Sequence, residues 1–452
     1  MPDKTMVTQP KIQREEELDL LEATVTGALR RARRAGATAA EASAYTSQGL
    51  SVNVRLGDVE TLEQMQDRGI SVTLFIGKRK GQASSADLRP ASVDACVDRA
   101  LDIARFTQED PCSGLADPEL LATEFPDLDL WHPAPMDARA AIERALACEA
   151  AGRVDQRITN SEGASFNAGL GMSVYGNSHG FIGRSSGTHY SQSCVLLAGQ
   201  GSGMQRDYSY DSRRCLADLE AAEETGREAA RRTLRRLDAR QLPTAEMPVL
   251  LAPEVAKGLA GHLVGAISGS SLYRNASFLK DRAGEQLFPD WMTICERPHL
   301  PRGAGSANFD SEGVRTREKN IVESGVLQDY VLSSYSARRL DLETTGNAGG
   351  VRNLLLAPGG AADDLLCELD SGFYVTEVMG QGVNLVTGDY SRGATGLRVE
   401  NGEIVHAVEG VTIAGNLRDM FLDIRAVGAD IDTRGNIHCG HLLIGRMTVA
   451  GE

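Results

Sequence analysis

The chain has 452 residues, of which 42% are apolar and 24% are charged, and its formal net charge is −15. These values are typical of a soluble globular protein, and the length is sufficient for two or three domains with their own cores. Because an acidic surface repels a phosphate backbone, nucleic acid is not expected as a direct partner. The 48 glycines and the low aromatic content of 5% favour many tight turns between strands.

The N-terminal sequence MPDKTMVTQPKIQREEELDL lacks the apolar region of a signal peptide. No stretch of the chain approaches about 18 consecutive apolar residues, so no membrane span and no membrane partner are expected. The cysteines lack a Cys-x-x-Cys spacing and stand at positions 96, 112, 148, 194, 215, 295, 367 and 439. These features predict a cytoplasmic protein with reduced thiols.

The fold class predicted from periodicity is α+β. Residues 1–14 are predicted to be disordered. Apolar stripes at helical spacing predict N-terminal helices over residues 15–34, 90–105, 137–152 and 216–237. Alternating runs between them predict antiparallel meanders around residues 51–76 and 158–213. Within the second meander, Gly169 and Gly187 are expected to interrupt strands.

The sequence pattern changes near the middle of the chain. Residues 238–248 contain two prolines and no periodic pattern, which predicts a linker. We therefore expect an N-terminal α+β domain at residues 15–238 and a β-rich C-terminal domain at residues 249–452. The second domain is expected to be barrel- or sandwich-like, with a few helices at residues 253–267, 332–340 and 361–369.

A glycine-rich stretch at residues 379–416 is the most distinctive part of the C-terminal half. Its short apolar runs predict strands joined by tight turns, and Asn401-Gly402 predicts a type I′ hairpin because both residues tolerate positive φ. Between Gly388 and Gly393 lies a polar cluster that suggests a surface for a substrate or a partner; a polar hairpin loop is the alternative. The candidate contact residues are Gly380, Gln381, Gly382, Asp389, Tyr390, Ser391 and Arg392.

Two shorter motifs resemble catalytic or metal sites. Residues 183–187 match Gly-x-Ser-x-Gly, but a nucleophile elbow needs a following helix, and here the pentapeptide lies inside a meander. The cluster His438-Cys439-Gly440-His441 could ligate zinc. On a strand, however, neighbouring side chains point to opposite faces, which favours a chance cluster.

Several longer segments together resemble the TldD/PmbA family, and specifically its PmbA branch, which is also called TldE. The resemblance covers about residues 16–452. It is carried by the segments KGQASSADLRP (80–90), ALDIARFTQEDPCSGLAD (100–117), ITNSEGASFN (158–167), YGNSHGF (175–181), GHLVGAISGSSLYR (261–274), FDSEGVRT (309–316), SSYSARRL (333–340), MGQGVNLVTGDYSRGATG (379–396) and TIAGNLRDM (412–420).

The resemblance implies a subunit of a cytosolic metallopeptidase complex that acts on small or unfolded peptides, in peptide-toxin maturation and antitoxin turnover. An older family name is modulator of DNA gyrase. In the TldD branch, zinc is bound by the two histidines of a helical His-Glu-x-x-x-His motif and a later cysteine. Here the matching positions hold Pro253, Glu254 and Gly258, with Cys439 as a remnant ligand position and His262 at the wrong spacing. Glu254 is the remnant of the catalytic residue.

The leading hypothesis is therefore a non-zinc subunit that holds extended peptides and works with a TldD-like zinc subunit. No cofactor is expected in this chain, the zinc is expected in the partner, and a homodimer is possible when the partner is absent. A non-enzymatic regulator that binds a protein partner is the alternative. A self-sufficient hydrolase that uses Ser185 or Cys439 is the third hypothesis.

Overall fold

The computed structural model describes residues 10–135, 137–360 and 364–451, with the backbone alone for residues 10–13 and Ser202. The N-terminal half consists of α1 (Pro10–Arg34), β1 (Ala39–Arg55), β2 (Asp58–Ile76), β3 (Arg79–Ser85), α2 (Pro90–Phe106), α3 (Ala138–Gly152), β4 (Ile158–Asn177), β5 (Ile182–Ala198), β6 (Gln205–Arg213) and α4 (Ala222–Leu234). Short 3₁₀ turns lie at Pro118–Leu120, Gly201–Gly203 and Leu216–Asp218.

The six N-terminal strands form one antiparallel sheet in the order β3-β2-β1-β4-β5-β6. The four helices pack on one face, where two apolar clusters form the core. On the other face the side chains are polar: in β4, the buried Ala164 and Phe166 alternate with the half-buried Ser165 and Asn167. The sheet therefore has one covered face and one uncovered polar face.

The C-terminal half is richer in strands. Its elements are β7 (Ala245–Leu251), α5 (Pro253–Ala266), α6 (Gly269–Tyr273), β8 (Ile294–Glu296), β9 (Lys319–Glu323), β10 (Val326–Leu327), α7 (Ser334–Leu340), β11 (Leu354–Leu356), β12 (Gly359–Gly360), α8 (Leu365–Leu369), β13 (Gly372–Met379), β14 (Asp389–Glu400), β15 (Glu403–Asn416), α9 (Leu417–Leu422), β16 (Ile424–Val427), β17 (Ile437–His438) and β18 (Leu442–Ala450).

Five of these strands close into a barrel, because β7 pairs with β13 on one side and with β18 on the other, in the cycle β7-β18-β15-β14-β13. A separate five-stranded sheet has the order β10-β9-β8-β11-β17. The largest apolar cluster joins the barrel, this sheet and the buried side of α5. The predicted α+β class with a barrel-like C-terminal half is confirmed.

Several local predictions are also confirmed. Helix α2 buries the predicted stripe of small and apolar residues. The turn between β14 and β15 has φ of 52° at Asn401 and 76° at Gly402, as a type I′ turn requires. Residues 183–187 lie within β5, so the serine is not on an elbow. All eight cysteines, which lie in the described part of the chain, are free thiols.

Other local predictions are wrong. Helix α1 begins at Pro10, so the segment predicted to be disordered overlaps it, and residues 1–9 lie outside the described residues. Strands β4 and β5 run through Gly169 and Gly187, since Gly169 pairs with both β1 and β5, and Gly187 pairs with β4. Helix α4 begins at Ala222 after a 3₁₀ turn. For the helix predicted over residues 361–369, the described part begins at Leu365.

The three sheets do not mix the two halves of the chain. The strands of the first sheet end at Arg213, and those of the other two begin at Ala245. Isolated bridges connect the halves, as between Leu121 and Val314. Division into domains at residues 15–238 and 249–452 stays a prediction. No helix in the described ranges is both long and apolar enough to cross a membrane.

Candidate functional site

Helix α5 presents a polar side at the position where the family resemblance places the zinc motif. Pro253 starts the helix directly after β7, because its missing N–H and fixed φ suit the first helical turn. Residues three and four apart lie on the same side of a helix, so Glu254, Lys257 and Gly258 share one side. The opposite side, which includes Leu259, is buried in the core.

Glu254 is held by two arginines. Its Oε1 atom accepts hydrogen bonds from Nη1 of Arg232 at 2.8 Å and from Nη2 of Arg434 at 3.1 Å. Burial alone would raise the pKa of Glu254, but the two guanidinium groups outweigh it and lower the pKa to about 2. A carboxylate with this pKa is a poor proton acceptor near neutral pH, so the geometry favours an ionic role over that of a general base.

Lys257 and Asp432 extend this arrangement. Nζ of Lys257 lies 2.5 Å from Oδ2 of Asp432, and Arg434 binds the same carboxylate through Nε and Nη2 at 2.8 Å. Burial opposes the ionisation of Asp432, but hydrogen bonds from Arg434 and Lys257 hold its pKa well below the usual range. We call Arg232, Glu254, Lys257, Asp432 and Arg434 the charged network.

The charged network reaches the outer edge of β6. Nη1 of Arg434 donates to O of Tyr210 at 2.7 Å, and its guanidinium carbon lies 4.2 Å from the centroid of the Tyr210 ring. Outside the charged network, Nη1 of Arg236 donates to O of Arg206 on the same strand at 2.5 Å. Because β6 is the last strand of its sheet, these bonds satisfy carbonyls that face no further strand. The network therefore joins the two halves of the chain.

The residues at the family's metal position do not fit zinc, which needs three or four imidazole, thiolate or carboxylate donors. Pro253 and Gly258 offer no donor, and Glu254 is bound to arginines. Cys439 is fully buried and donates to a backbone carbonyl at 3.2 Å; burial raises its pKa to about 12, against a smaller opposite effect of Lys257. Across the described residues, no group of three His, Cys, Asp or Glu side chains could hold a metal ion.

The cluster at residues 438–441 does not converge on one point. Nε2 of His438 lies 2.9 Å from a backbone carbonyl oxygen, and burial lowers the pKa of this imidazole. Nε2 of His441 lies 2.7 Å from Oη of Tyr374, and its Nδ1 is bonded to Asp430. The two histidines line different cavities, of about 710 and about 850 Å³. The imidazole groups of His438 and His441 therefore have separate partners and line separate cavities.

The glycine-framed stretch divides into a loop and a strand. Residues 380–388 form a loop that folds back on β14, where the N–H of Ser391 donates to O of Gly382 at 2.6 Å. Tyr390 is 5% exposed, and the centroid of its ring lies 6.0 Å from that of His262 on α5. Arg392 follows on the same side of the strand and keeps a buried Nε without a hydrogen-bond partner in the described part of the chain.

Asp389 and Ser391 lie on the other side of β14 and are exposed, because alternate residues of a strand face opposite sides. Asp389 accepts hydrogen bonds from Thr387 and Asn416. Gly380, Gln381 and Gly382 are exposed as well. Asp389 therefore faces away from Tyr390 and Arg392 within this chain. Contact of these seven residues with a substrate or a partner stays a prediction.

The uncovered face of the N-terminal sheet forms a wall that the sequence analysis missed. Its serines, asparagine and tyrosines line a cavity of about 410 Å³ that includes Ser165, Asn167, Ser191, Ser193, Tyr208 and Tyr210. The cavity of about 710 Å³, which we call the arginine cleft, lies between this sheet and the C-terminal half. It is lined by His189, Ser212, Arg213, Arg214, Asp218, residues 300–304, Thr433, Arg434 and His438. Along β4, serine, asparagine and glycine at positions 165, 167, 169, 171 and 173 alternate with apolar residues, and this alternation was its sequence signal.

Family models and curated relatives are similar to this chain over most of its length. Three family models match the chain: "PmbA/TldA metallopeptidase domain 1" over residues 40–104, the "central domain" over 131–237 and the "C-terminal domain" over 244–451. The chain is 50% identical over 415 residues to metalloprotease PmbA of Escherichia coli O157:H7, covering 91% of this chain and 92% of the relative. It is 45% identical over 435 residues to a metalloprotease PmbA homolog of Haemophilus influenzae, covering 96% of each.

A solved structure shares the fold. It is a Bacteroides thetaiotaomicron protein that bears the name modulator of DNA gyrase, with a TM-score of 0.90 and 27% identity, covering 95% of this chain and 99% of that one. The family models together span most of the sequence, and both curated relatives match over almost their whole length. The chain belongs to the PmbA/TldD family of metallopeptidases.

Proposed function

We propose that this chain is the non-zinc subunit of a two-component cytoplasmic metallopeptidase that processes or degrades small or unfolded peptides. The observation that carries the proposal is the metal position on α5, where Pro253, Gly258 and the charged network replace zinc donors. Metal-assisted hydrolysis needs an open coordination site that activates water. In this proposal a TldD-like partner supplies the zinc, and this chain holds the substrate.

The free edge of β2 supports a role in binding extended chains. Residues 58–68 are exposed and pair with β1 alone, since β3 pairs with residues 70–76. Strand addition to such an edge gives affinity through main-chain hydrogen bonds and needs little sequence specificity. The edge carries Asp58, Glu60, Glu63 and Asp67 against Arg68. This acidic edge favours a basic or neutral strand over a second copy of the same edge.

The test combines zinc analysis with a peptidase assay. The purified chain is treated with a mild chelator, its zinc is measured, and cleavage of an unfolded peptide is followed with and without a TldD-like subunit. We expect less than stoichiometric zinc, no cleavage by the chain alone, and cleavage when both chains are present. About one zinc per chain, lost in Cys439→Ser, would overturn the proposal.

The same assay separates the proposal from its main alternative. A non-enzymatic regulator would bind its partner, but the two chains together would cleave no faster than the zinc subunit alone. A partner in which the glutamate of the zinc motif is replaced by glutamine serves as the matched control. With that control, co-purification should persist while cleavage is lost.

A further inference from the structure

Arg214 lines the arginine cleft and is fixed in place by backbone acceptors. Its Nη2 donates to O of Ala304 at 2.6 Å, and its Nη1 donates to O of Thr188 at 3.2 Å. The first bond reaches a loop of the C-terminal half, and the second reaches β5 of the N-terminal sheet. They orient the guanidinium group but contribute no negative charge.

The other arginines of the arginine cleft all have carboxylate partners. Salt bridges join Arg213 to Asp211 at 3.0 Å, Arg302 to Asp129 at 2.6 Å and to Asp218 at 2.8 Å, and Arg434 to Asp432 at 2.8 Å. Arg214 differs, because burial lowers its pKa and no carboxylate of the described residues opposes that effect. A half-buried cation without a counter-ion is unfavourable, so the site is suited to an anion from outside.

The remaining lining supplies further polar groups and little negative charge. His189, Ser212 and His438 line the same cavity, while Asp218 is engaged by Arg302. A guanidinium group matches a carboxylate in size and in the direction of its N–H groups. We propose that the arginine cleft binds a carboxylate of an extended peptide, with Arg214 as its counter-ion.

The choice of a peptide as the source of the carboxylate rests on the proposed function. The uncovered polar sheet face continues from the arginine cleft past Ser191 to Ser165 and Asn167, and its hydroxyl and amide groups offer hydrogen bonds to a peptide backbone. The carboxylate is therefore the C-terminal group of the peptide or an acidic side chain near it. The cleft volume of about 710 Å³ is that of a typical small-ligand site.

The test measures binding to this chain alone, without the partner and without cleavage. Three N-acetylated alanine tetrapeptides are compared by calorimetry: one with a free C-terminal carboxylate, one with a C-terminal amide, and one amidated with glutamate at its last position. We expect at least one of the two acidic peptides to bind about 10- to 100-fold more tightly than the neutral amide. Equal binding of all three peptides would overturn the proposal.

Variants locate the site. Arg214→Gln should remove the preference for the carboxylate, and Arg214→Lys, which keeps the charge, should retain part of it. Arg227→Gln is the control for net charge, because Arg227 lies exposed on α4 beside Glu224. An unchanged preference in Arg214→Gln, with the fold verified by its melting curve, would overturn the assignment. If Arg214→Gln does not fold, Arg214→Lys locates the site, and an unchanged preference in that variant would overturn the assignment.

The outcomes also separate this inference from the proposed function. Carboxylate binding at Arg214 without any cleavage in the two-chain assay would leave the site intact and refute the peptidase role. Cleavage in the two-chain assay without a carboxylate preference would support the peptidase role and refute the carboxylate site.

Discussion

Replacement of Glu254 by glutamine separates an ionic role from a catalytic one. In the folded chain the pKa of Glu254 is lowered from 4.5 to about 2, because Arg232 and Arg434 outweigh the effect of burial. A difference of about 2.5 pKa units corresponds to about 3 kcal/mol of stability. In the variant, Arg232 would still lie 3.5 Å from Asp207, and Arg434 would still bind Asp432, so each guanidinium group would retain a carboxylate partner. We therefore expect Glu254→Gln to reduce the free energy of unfolding by about 2–3 kcal/mol at pH 7.

The pH dependence gives the sharper test. A carboxylate with a lowered pKa stabilises the fold fully above its unfolded pKa of 4.5, and this stabilisation is lost as the pH falls towards about 2. Urea unfolding of both proteins should therefore show a constant difference from pH 7 to about pH 5 that shrinks below it. Glu224→Gln is the control, since its exposed ion pair with Arg227 should contribute less than about 1 kcal/mol. Unchanged stability of Glu254→Gln, with loss of peptidase activity in the two-chain assay, would refute the ionic role and restore a catalytic one.

Four further substitutions test the packing of glycines, strand β14 and the cavity beside His441. Gly81→Ala should destabilise the chain by about 3 kcal/mol in urea unfolding, because the new Cβ would lie 2.1 Å from O of Ala100 on α2. Gly27→Ala in α1 is the matched control: its Cβ would meet no atom within 4 Å, so the substitution should stabilise the chain by about 0.5–1 kcal/mol. Arg392→Ala should weaken assembly with the TldD-like subunit in size-exclusion chromatography while leaving the melting temperature nearly unchanged. Unchanged assembly and unchanged cleavage would refute a role of β14 in binding the partner. His441→Phe should lose the hydrogen bond to Tyr374 and lower the free energy of unfolding by about 1 kcal/mol, without any change in bound zinc.

The parts of the fold that depend on local sequence could be predicted. The stripe on α2 requires only a helical repeat of apolar residues, and the turn at Asn401-Gly402 requires only two residues that accept positive φ. The interruption of strands at Gly169 and Gly187 was predicted wrongly, because strand pairing, on both sides of Gly169 and on one side of Gly187, outweighs the flexibility of a single glycine.

Contacts between distant segments could not be predicted in the same way. The barrel closes through pairs such as Ala245 with Val449, which no local pattern records. Arg232 and Arg434 reach Glu254 from positions 22 and 180 residues away. The absence of histidines at positions 253 and 258 could be read from the sequence, but the partners of the remaining glutamate could not.

The charged network explains why adding the two missing histidines would not by itself create a zinc site in this chain. Glu254 and Asp432 each bind two cationic side chains, and three of these four bonds come from Lys257 and Arg434. A zinc ion on this side of α5 would add positive charge beside both cations and would compete for carboxylates that are already satisfied. Histidines at positions 253 and 258 would therefore supply donors without removing the opposing charge. The cationic side chains at the metal position also join α5 to β6. A metal ion bound there would break these contacts, so this side of the helix has a structural role.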